Sequence, residues 1–309
     1  MYDSSFIKQA IDNSSTNRLD RRRFLAAAGI TGAGVGVAAL AGSGSSAFAA
    51  DAPAITDEAI LNFALNLEYL EAEFYLRAVR GFGLKPGMTT GRGDRGAVIG
   101  GRKVPFVTKA VRQYAEEITD DEMDHVTFLR SVLGGARVAR PTINLTDSFT
   151  AAAMAAGLIG PGETFDAFES EDNFLLGAFI FEDVGVTAYK GAAPLIKNKT
   201  FLEAAAGLLA VEAYHASNIR TVLNGKGLRA PTVAISDARD SLDGPEDKDQ
   251  GLIYRGMTNI VPTDDSGLAF SRTTGEVLNI VYLNPARVTE GGFFPDGVNG
   301  VINTSDPNA

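Results

Sequence analysis

The sequence predicts an all-α protein whose centre is a four-helix bundle. Four segments repeat their apolar residues every three or four positions, which is the period of an amphipathic helix. These segments are residues 56–80, 105–133, 172–193 and 200–225. A long connection, which includes a short helical pattern at 150–158, separates the second segment from the third. Such a connection allows the chain to cross the bundle before the third helix begins.

Local signals predict where these helices begin and end. Pro105 suits the first turn of the second helix, and Gly134 would end it. Thr200 and Glu203 have the spacing of a capping box at the start of the fourth helix. The glycine-rich residues 81–104 indicate a loop inserted between the first two helices.

Residues 1–49 resemble a twin-arginine export signal. The matching positions are Arg21, Arg22, Phe24 and Leu25. A weakly apolar Ala/Gly run follows and leads to the small-residue site Ala47–Ala49. We expect cleavage near Ala50 and export by the twin-arginine machinery to the periplasm, the cell envelope or the extracellular medium. The alternative is an uncleaved membrane anchor, although the apolar run is barely long enough to span a bilayer.

Residues 226–309 differ in character from the bundle segment, residues 50–225. Prolines occur at positions 231, 245, 262, 285, 295 and 307. This spacing predicts an irregular C-terminal extension with one helix near 274–282. The apolar bulk of its IVYL and FFP stretches favours packing on the bundle over joining subunits.

Composition excludes several classes of function. The 309 residues include no cysteine, which excludes disulfides, thiolate metal sites and a rubredoxin-type iron site. A formal net charge of −10 argues against a nucleic-acid partner. Any metal must therefore be bound through oxygen and nitrogen.

Both histidines of the chain follow a glutamate by three positions. The pairs are Glu122 with His125 and Glu212 with His215. Residues three apart share one face of a helix, and the other residues on these two faces are mainly apolar. Both pairs are therefore predicted to point into the bundle.

The first and third helices each carry a single glutamate on the apolar face. Glu68 and Glu182 each precede a tyrosine by seven residues, Tyr75 and Tyr189. The order is Glu, Glu-x-x-His, Glu, Glu-x-x-His, so the bundle is predicted to be a repeated helical hairpin. The tyrosines are either core residues hydrogen-bonded to a neighbour, or groups that support a site or act as its redox partners; the pattern alone leaves both roles open.

Four carboxylates inside an apolar bundle would repel one another and lose their hydration. Two divalent cations would compensate four negative charges and leave both imidazoles neutral as ligands. This arrangement is known from dinuclear carboxylate bundles. Glu71, one turn from Glu68, is predicted to be a partly exposed bridging glutamate, and the alternative is an extra ligand or a group that supports the site. The remaining nearby acids are predicted to be solvated: Glu73, Glu116, Glu117, Asp120 and Asp121.

Four stretches together resemble the ferritin-like superfamily, in particular its exported, long-tailed branch of desiccation-related proteins. They are LNFALNLEYLEAEFYLRAV, EITDDEMDHVTFLRSVLG, FIFEDVGVTAYKGAAPLI and LLAVEAYHASNIRTVL. SRTTGEVLNIVY and GGFFPDGVNG in the extension also resemble that branch. The resemblance implies a dinuclear centre of iron or manganese. The residues it assigns to the metals are Glu68, Glu122, His125, Glu182, Glu212 and His215.

The resemblance implies an oxidoreductase in stress protection that acts on ferrous iron with oxygen or hydrogen peroxide. The alternative is a metal-binding protein without turnover that protects the cell during desiccation or supports the envelope. A third possibility, iron storage, would need a homo-oligomeric shell.

Overall fold

The computed structural model describes residues 55–308, so the predicted export signal lies outside the described residues. The described chain contains seven α-helices. They are α1 (Asp57–Arg80), α2 (Lys109–Leu133), α3 (Asp147–Ala155), α4 (Glu171–Ala192), α5 (Lys199–Gly225), α6 (Arg229–Asp243) and α7 (Thr274–Val281). Within this part of the chain, no helix combines the length and apolarity that a membrane crossing needs.

The prediction of an all-α bundle with a long crossover is confirmed. Helix α1 packs along α2, and α4 packs along α5, so the bundle consists of two helical hairpins. The chain between α2 and α4 carries the short helix α3. Helix α1 is capped at both ends. The Thr56 hydroxyl accepts the N–H of Ala59, and Gly81 ends the helix with a positive φ of 82°.

Two predicted helix starts are wrong. Pro105 precedes α2, which begins only at Lys109, because the Glu171 carboxylate accepts the backbone N–H groups of Val107 and Thr108. These amides are thus held outside the helix by the first turn of α4. Helix α5 begins at Lys199 with an Asn198 side-chain cap, and not with the predicted capping box of Thr200 and Glu203.

An aromatic cluster forms the core between α1, α3, α4 and the C-terminal extension. Phe74 stacks on Phe174 with ring centroids 5.3 Å apart, and it also contacts Phe149 and Phe181. Phe293 packs edge-on against Phe149 and Phe181 at 5.1 and 5.0 Å. The FFP stretch of the extension therefore lies in the same core as the bundle helices.

The inserted loop, residues 81–104, folds against the crossover. Its strand β1 (Val98–Ile99) pairs in parallel with β2 (Ile143–Asn144) of the crossover. In the middle of the loop, Arg92 exchanges backbone hydrogen bonds with Arg137 and Ala139, on either side of Val138. The insertion thus extends the first hairpin onto the α2–α4 connection.

The extension contains one helix more than predicted. Helix α7 confirms the helix expected near 274–282, and a capping box of Thr273 and Glu276 starts it. Helix α6 was not predicted, because Pro231 indicated irregular chain. Pro231 occupies the first turn of α6, where the missing N–H has no helical acceptor to lose. A short hairpin of β3 (Ile253–Tyr254) and β4 (Met257–Thr258) lies between the two helices.

Three buried arginines join the extension to the bundle. We call this set the arginine network; its members are Arg220, Arg239, Arg272, Asp183, Asp243 and Asp249. Arg220 and Arg239 both bind the Asp183 carboxylate of α4, with N–O distances of 2.7 and 3.0 Å. Arg272 bridges Asp243 and Asp249 and donates to the Thr187 hydroxyl of α4. Helix α4 is therefore tied to the extension on its outer side.

Candidate metal centre

The structure brings together all six residues that the sequence predicts as metal ligands. They form two overlapping groups, each with one ligand atom per residue and all such atoms within 4.8 Å of one another. The first group is Glu68, Glu122, His125 and Glu212; the second is Glu122, Glu182, Glu212 and His215. We call these six residues the candidate metal centre. Because Glu122 and Glu212 belong to both groups, each can supply one oxygen to each of two ions.

The first group surrounds one imidazole nitrogen. His125 Nδ1 lies 3.2 Å from Glu68 Oε2 and 3.5 Å from Glu122 Oε2. The same nitrogen lies 3.5 Å from Glu212 Oε1. These atoms come from α1, α2 and α5, and in all three helices a residue on the apolar stripe supplies the donor.

The second group repeats this pattern with the partners exchanged. His215 Nδ1 lies 3.1 Å from Glu122 Oε1 and 3.5 Å from Glu182 Oε2. The rings of His125 and His215 are 6.2 Å apart between centroids. His125 thus faces Glu68 and the glutamates of both Glu-x-x-His pairs. His215 faces Glu122 and Glu182. Two neighbouring ion positions would have this arrangement.

The two tyrosines cross between the hairpins. Tyr75 on α1 donates its hydroxyl to Glu182 on α4, and Tyr189 on α4 donates to Glu68 on α1. All four side chains are buried. This geometry accommodates both roles that the sequence left open for the tyrosines: each phenol is buried in the core, and its hydrogen-bond partner is the outer carboxylate of one group.

Several buried polar atoms of the centre have no hydrogen-bond partner. Both carboxylate oxygens of Glu122 and of Glu212, together with Glu182 Oε2 and His215 Nδ1, are buried and make no hydrogen bond within the described chain. Each buried polar group that is left without a hydrogen bond costs on the order of 1–3 kcal/mol of folding free energy. A buried set of converging oxygen and nitrogen donors that lack hydrogen-bond partners is compatible with metal ions.

Burial and crowding shift the proton affinities of the acids. Burial, with the nearby Glu122 charge adding to it, raises the pKa of Glu68 to about 7. Burial and the neighbouring carboxylates also raise the pKa of Glu71 and of Glu212 well above the usual range. Burial acts in the same direction on Glu122, but the two histidines beside it hold its pKa below the usual range. Metal binding would replace this uneven sharing of protons.

The histidines and tyrosines respond to the same field. Burial acts to lower the pKa of His125 and His215, but the carboxylates around them raise it above the usual range. Burial and the adjacent carboxylates raise the pKa of Tyr75 and Tyr189 well above the usual range. Both phenols therefore keep their protons at neutral pH and act as hydrogen-bond donors.

Three acids lie in places that the sequence did not predict. Glu71, expected to be partly exposed, is only 5% exposed and lies beside the candidate metal centre. Glu73, expected to be solvated, is fully buried and pairs with Arg77 and Arg140. Asp121, also expected to be solvated, places Oδ2 3.0 Å from His215 Nε2. Of the other acids expected to be solvated, Glu117 and Asp120 are exposed and Glu116 is half-buried.

Asp121 is a functional candidate that the search for ligands missed. Its carboxylate binds the ring nitrogen of His215 that faces away from the centre, which fixes the orientation of the ring. Because the contact joins α2 to α5, no spacing along one helix reveals it. The only local signal was an acid immediately before Glu122.

Gly185 is a second residue that was missed. A Cβ at this position would lie 2.5 Å from Glu212 Oε2 and 3.5 Å from Glu71 Oε1. Only glycine leaves room for the shared carboxylate of Glu212 as it stands. Gly185 follows Glu182 by three positions, as Glu71 follows Glu68, so the two hairpins carry different residues at related positions.

Comparison with known proteins agrees with this geometry. The profile of the Ferritin-like domain matches residues 56–225, which is more than half of the chain. The chain is 29% identical over 268 residues to a ferritin-like catalase, Nec2, from Nesocodon mauritianus; the match covers 79% of this chain and 83% of that protein. It is 30% identical over 270 residues to the desiccation-related protein PCC13-62 from Craterostigma plantagineum, again with 79% and 83% coverage.

No solved structure matches the chain significantly. Both curated relatives align over a larger share of the chain than the bundle occupies, so the similarity includes part of the extension. With a bundle of two hairpins, four inward glutamates and two Glu-x-x-His pairs on a matching domain, the chain belongs to the ferritin-like family.

Proposed function

We propose that this protein is an oxidoreductase that holds two metal ions and disproportionates hydrogen peroxide. The observation that carries the proposal is the sharing of Glu122 and Glu212 between two groups of four ligand atoms. Sharing of this kind serves two adjacent ions and has no role at a single structural ion. Iron is the expected metal and manganese the alternative, because carboxylate and imidazole donors suit both.

The donors fit two divalent ions in number and charge. Glu68 and His125 would complete one position, Glu182 and His215 the other, and Glu122 with Glu212 would bridge them. A pair of redox-active ions held here would exchange electrons with peroxide or dioxygen. The four positive charges of two divalent ions would also offset the four carboxylates of the candidate metal centre, and the Glu71 carboxyl beside them would remain.

The residues around the donors fix their positions. The hydroxyls of Tyr75 and Tyr189 each occupy one oxygen of an outer carboxylate, which leaves the other oxygen for a metal. Asp121 holds the Nε2 side of His215, so that Nδ1 faces the centre. The surrounding helices exclude bulk water, since all six donors of the centre are buried.

Peroxide is the substrate that the comparisons favour, since one relative is named a ferritin-like catalase. Disproportionation converts two H2O2 into two H2O and one O2, so it needs no separate electron donor. Ferrous iron with oxygen or peroxide is the other substrate pair that the same centre would suit. The two activities differ in their product, which is dioxygen in the first case and ferric iron in the second.

The test is to load the purified protein with Fe2+ or Mn2+ under anaerobic conditions, remove free metal and measure bound metal by mass spectrometry. Dioxygen release after addition of H2O2 would then be followed with an oxygen electrode, and ferrous oxidation by absorbance. We expect two ions per chain and rapid dioxygen release. If ferric iron forms and no dioxygen is released, the activity is ferrous oxidation and not peroxide disproportionation.

Glu212→Ala and Glu117→Ala form a matched pair for this assay. Glu212 belongs to both donor groups, whereas Glu117 is exposed on α2. Glu212→Ala should lower dioxygen release at least about 100-fold, and Glu117→Ala should leave it unchanged. Equal activity of the two variants would contradict the proposal.

The second candidate is metal binding without turnover in protection against desiccation. The relative named a desiccation-related protein supports it, since its similarity to this chain is as high as that of the catalase. A protein that retains two ions through dialysis but neither releases dioxygen nor oxidises ferrous iron would have this role. Iron storage would in addition require a large homo-oligomeric shell, which light scattering would detect.

We also propose that the protein is exported through the twin-arginine pathway. The support is the Arg21–Arg22 pattern and the small-residue site before Ala50. Mass spectrometry of the protein from the exported fraction should give an N-terminus near Ala50. Replacement of both arginines by lysine should leave the protein in the cytoplasm, and unchanged export would contradict the proposal.

A further inference from the structure

A small apolar cavity lies between α1 and α4, and the C-terminal extension closes it. Val184 belongs to the wall formed by α4, while Val281 and Phe293 of the extension form the opposite wall. The lining is almost entirely aliphatic and aromatic carbon. The extension, which lies outside the matched ferritin-like domain, therefore completes a cavity of the bundle.

The inner end of this cavity reaches the candidate metal centre. Glu71 and Gly185 both line it. The Gly185 Cα faces the Glu212 carboxylate so closely that an added Cβ would lie 2.5 Å from Oε2. Glu71 is buried and lines the cavity, so its carboxyl group is in a position to meet a molecule that enters.

The outer end lies at Leu67. Leu67 is partly buried, whereas the other residues that line the cavity are fully buried. Leu67 and Glu71 lie one helical turn apart on α1, so the cavity follows α1 inward from the surface. The distance along the helix is about 6 Å, because each residue rises about 1.5 Å.

The lining determines what can pass. A ferrous ion or another charged species would lose its hydration against aliphatic walls with only one carboxylate in reach, which is costly. The desolvation free energy of a small neutral molecule such as hydrogen peroxide or dioxygen is much smaller. The chemistry of the cavity therefore selects a small neutral oxidant over a metal ion.

We infer that this cavity is the passage through which a small neutral oxidant reaches the metal centre, and that Val281 and Phe293 of the extension set its width. The inference rests on the proposed oxidoreductase function. It assigns to the extension a part in substrate access.

Xenon tests the passage independently of activity, since apolar cavities bind xenon. Crystals of the metal-loaded protein under xenon pressure should show xenon between Val184 and Phe293. Val281→Phe should abolish this xenon peak by filling the space. The control is Ala238→Leu, which fills a different apolar cavity with no residue of the centre in its lining, and should leave the peak in place.

Two opposite changes at Val281 test the role in catalysis. Val281→Phe narrows the passage and should lower kcat/KM for the oxidant about tenfold, with kcat less affected and metal content unchanged. Val281→Ala widens it and should keep or raise kcat/KM. Both changes disturb packing, so a purely structural role would lower kcat/KM in both variants.

The outcomes separate this inference from the proposed function. Absence of xenon from the wild-type cavity, or a decrease of kcat/KM in both Val281 variants, would overturn the passage. A wild-type protein that binds xenon in the cavity but turns over neither peroxide nor ferrous iron would overturn the proposed function, and with it the passage as a route for an oxidant.

Discussion

The candidate metal centre and the arginine network are both buried and charged, but only the network contains its own counterions. Three guanidinium groups of the network face three carboxylates. The centre has four carboxylates as donors and Glu71 beside them, and the basic groups among its donors are two histidines. Helix α4 takes part in both clusters, since Glu182 faces the centre and Asp183 faces the network.

This difference teaches how buried charge can be interpreted. A cluster that is matched within the chain fastens one part of the fold to another, and its disruption leaves a charge unpaired. A cluster with more carboxylates than basic groups must instead bind protons or take up cations that the chain does not supply. The surplus of carboxylates, and not the number of acids, is therefore what distinguishes the candidate metal centre from the arginine network.

The largest effect should come from removing a shared ligand. Glu122→Ala removes an oxygen from both groups and should reduce bound metal from two ions per chain to almost none. Glu68→Ala removes a donor from one group and should leave about one ion. Metal analysis after desalting measures both. Full occupancy in Glu122→Ala would mean that Glu122 is not a ligand shared by the two ions.

The next effect concerns the matched cluster. Arg272→Met leaves Asp243 without a buried counterion and removes one of the two arginines that pair with Asp249, so it should lower the free energy of unfolding by about 3–5 kcal/mol. Arg255→Met is the control, since Arg255 is 64% exposed in its pair with Asp265 and should cost at most about 1 kcal/mol. Urea unfolding of the metal-loaded variants gives both values. Similar costs for both would remove the distinction between the two clusters.

A pH series sharpens the comparison through Glu68, whose pKa in the folded state is about 7 against 4.5 for a free side chain. The folded state holds this proton more tightly than the unfolded state does. Its contribution to stability is therefore fully present below pH 4.5 and is lost as the pH rises through 7. The metal-free protein should lose about 2–3 kcal/mol over this range.

The metal-loaded protein serves as the reference for that series. Because the metals bind deprotonated carboxylates, its stability should rise over the same range of pH. Thermal unfolding in both states would measure the two slopes. Parallel slopes would show that metal and protons do not compete for the centre.

The smallest effect is expected at Asp121. Asp121→Asn keeps the shape of the side chain but removes the charge that orients His215, and should weaken one metal position about tenfold. Competition with a chelator of known affinity measures this change. Asp124→Asn, an exposed acid on the same helix, should leave the affinity unchanged. Equal effects of the two would indicate general electrostatics in place of orientation.

The bundle and the six donors could be predicted from the sequence because both depend on local spacing. A helix places residues three, four and seven apart on one face, so an acid on an apolar stripe is visible without a structure. Glu68 and Glu122 were found in this way. Helix ends were harder, since Val107 and Thr108 are held outside α2 by Glu171, which lies far along the chain.

Contacts between helices could not be predicted from one sequence. Asp121 binds a histidine of α5, and Glu73 is neutralised by Arg140 from the crossover. Neither partner lies at a helical spacing from its acid. The cavity beside Glu71 depends on Phe293, which lies more than two hundred residues away. A polar residue on a predicted outer face thus carries little information until its neighbours in space are known.

The crossed tyrosine bonds also bear on the origin of the repeat. Tyr75 of the first hairpin holds the acid of the second, and Tyr189 of the second holds the acid of the first. This reciprocity is the pattern of an isologous contact between two identical copies. Each hairpin supplies the tyrosine donor for the glutamate of the other hairpin and not for its own. The two halves of the bundle therefore behave as a dimer fused into one polypeptide, in which neither subunit is complete alone.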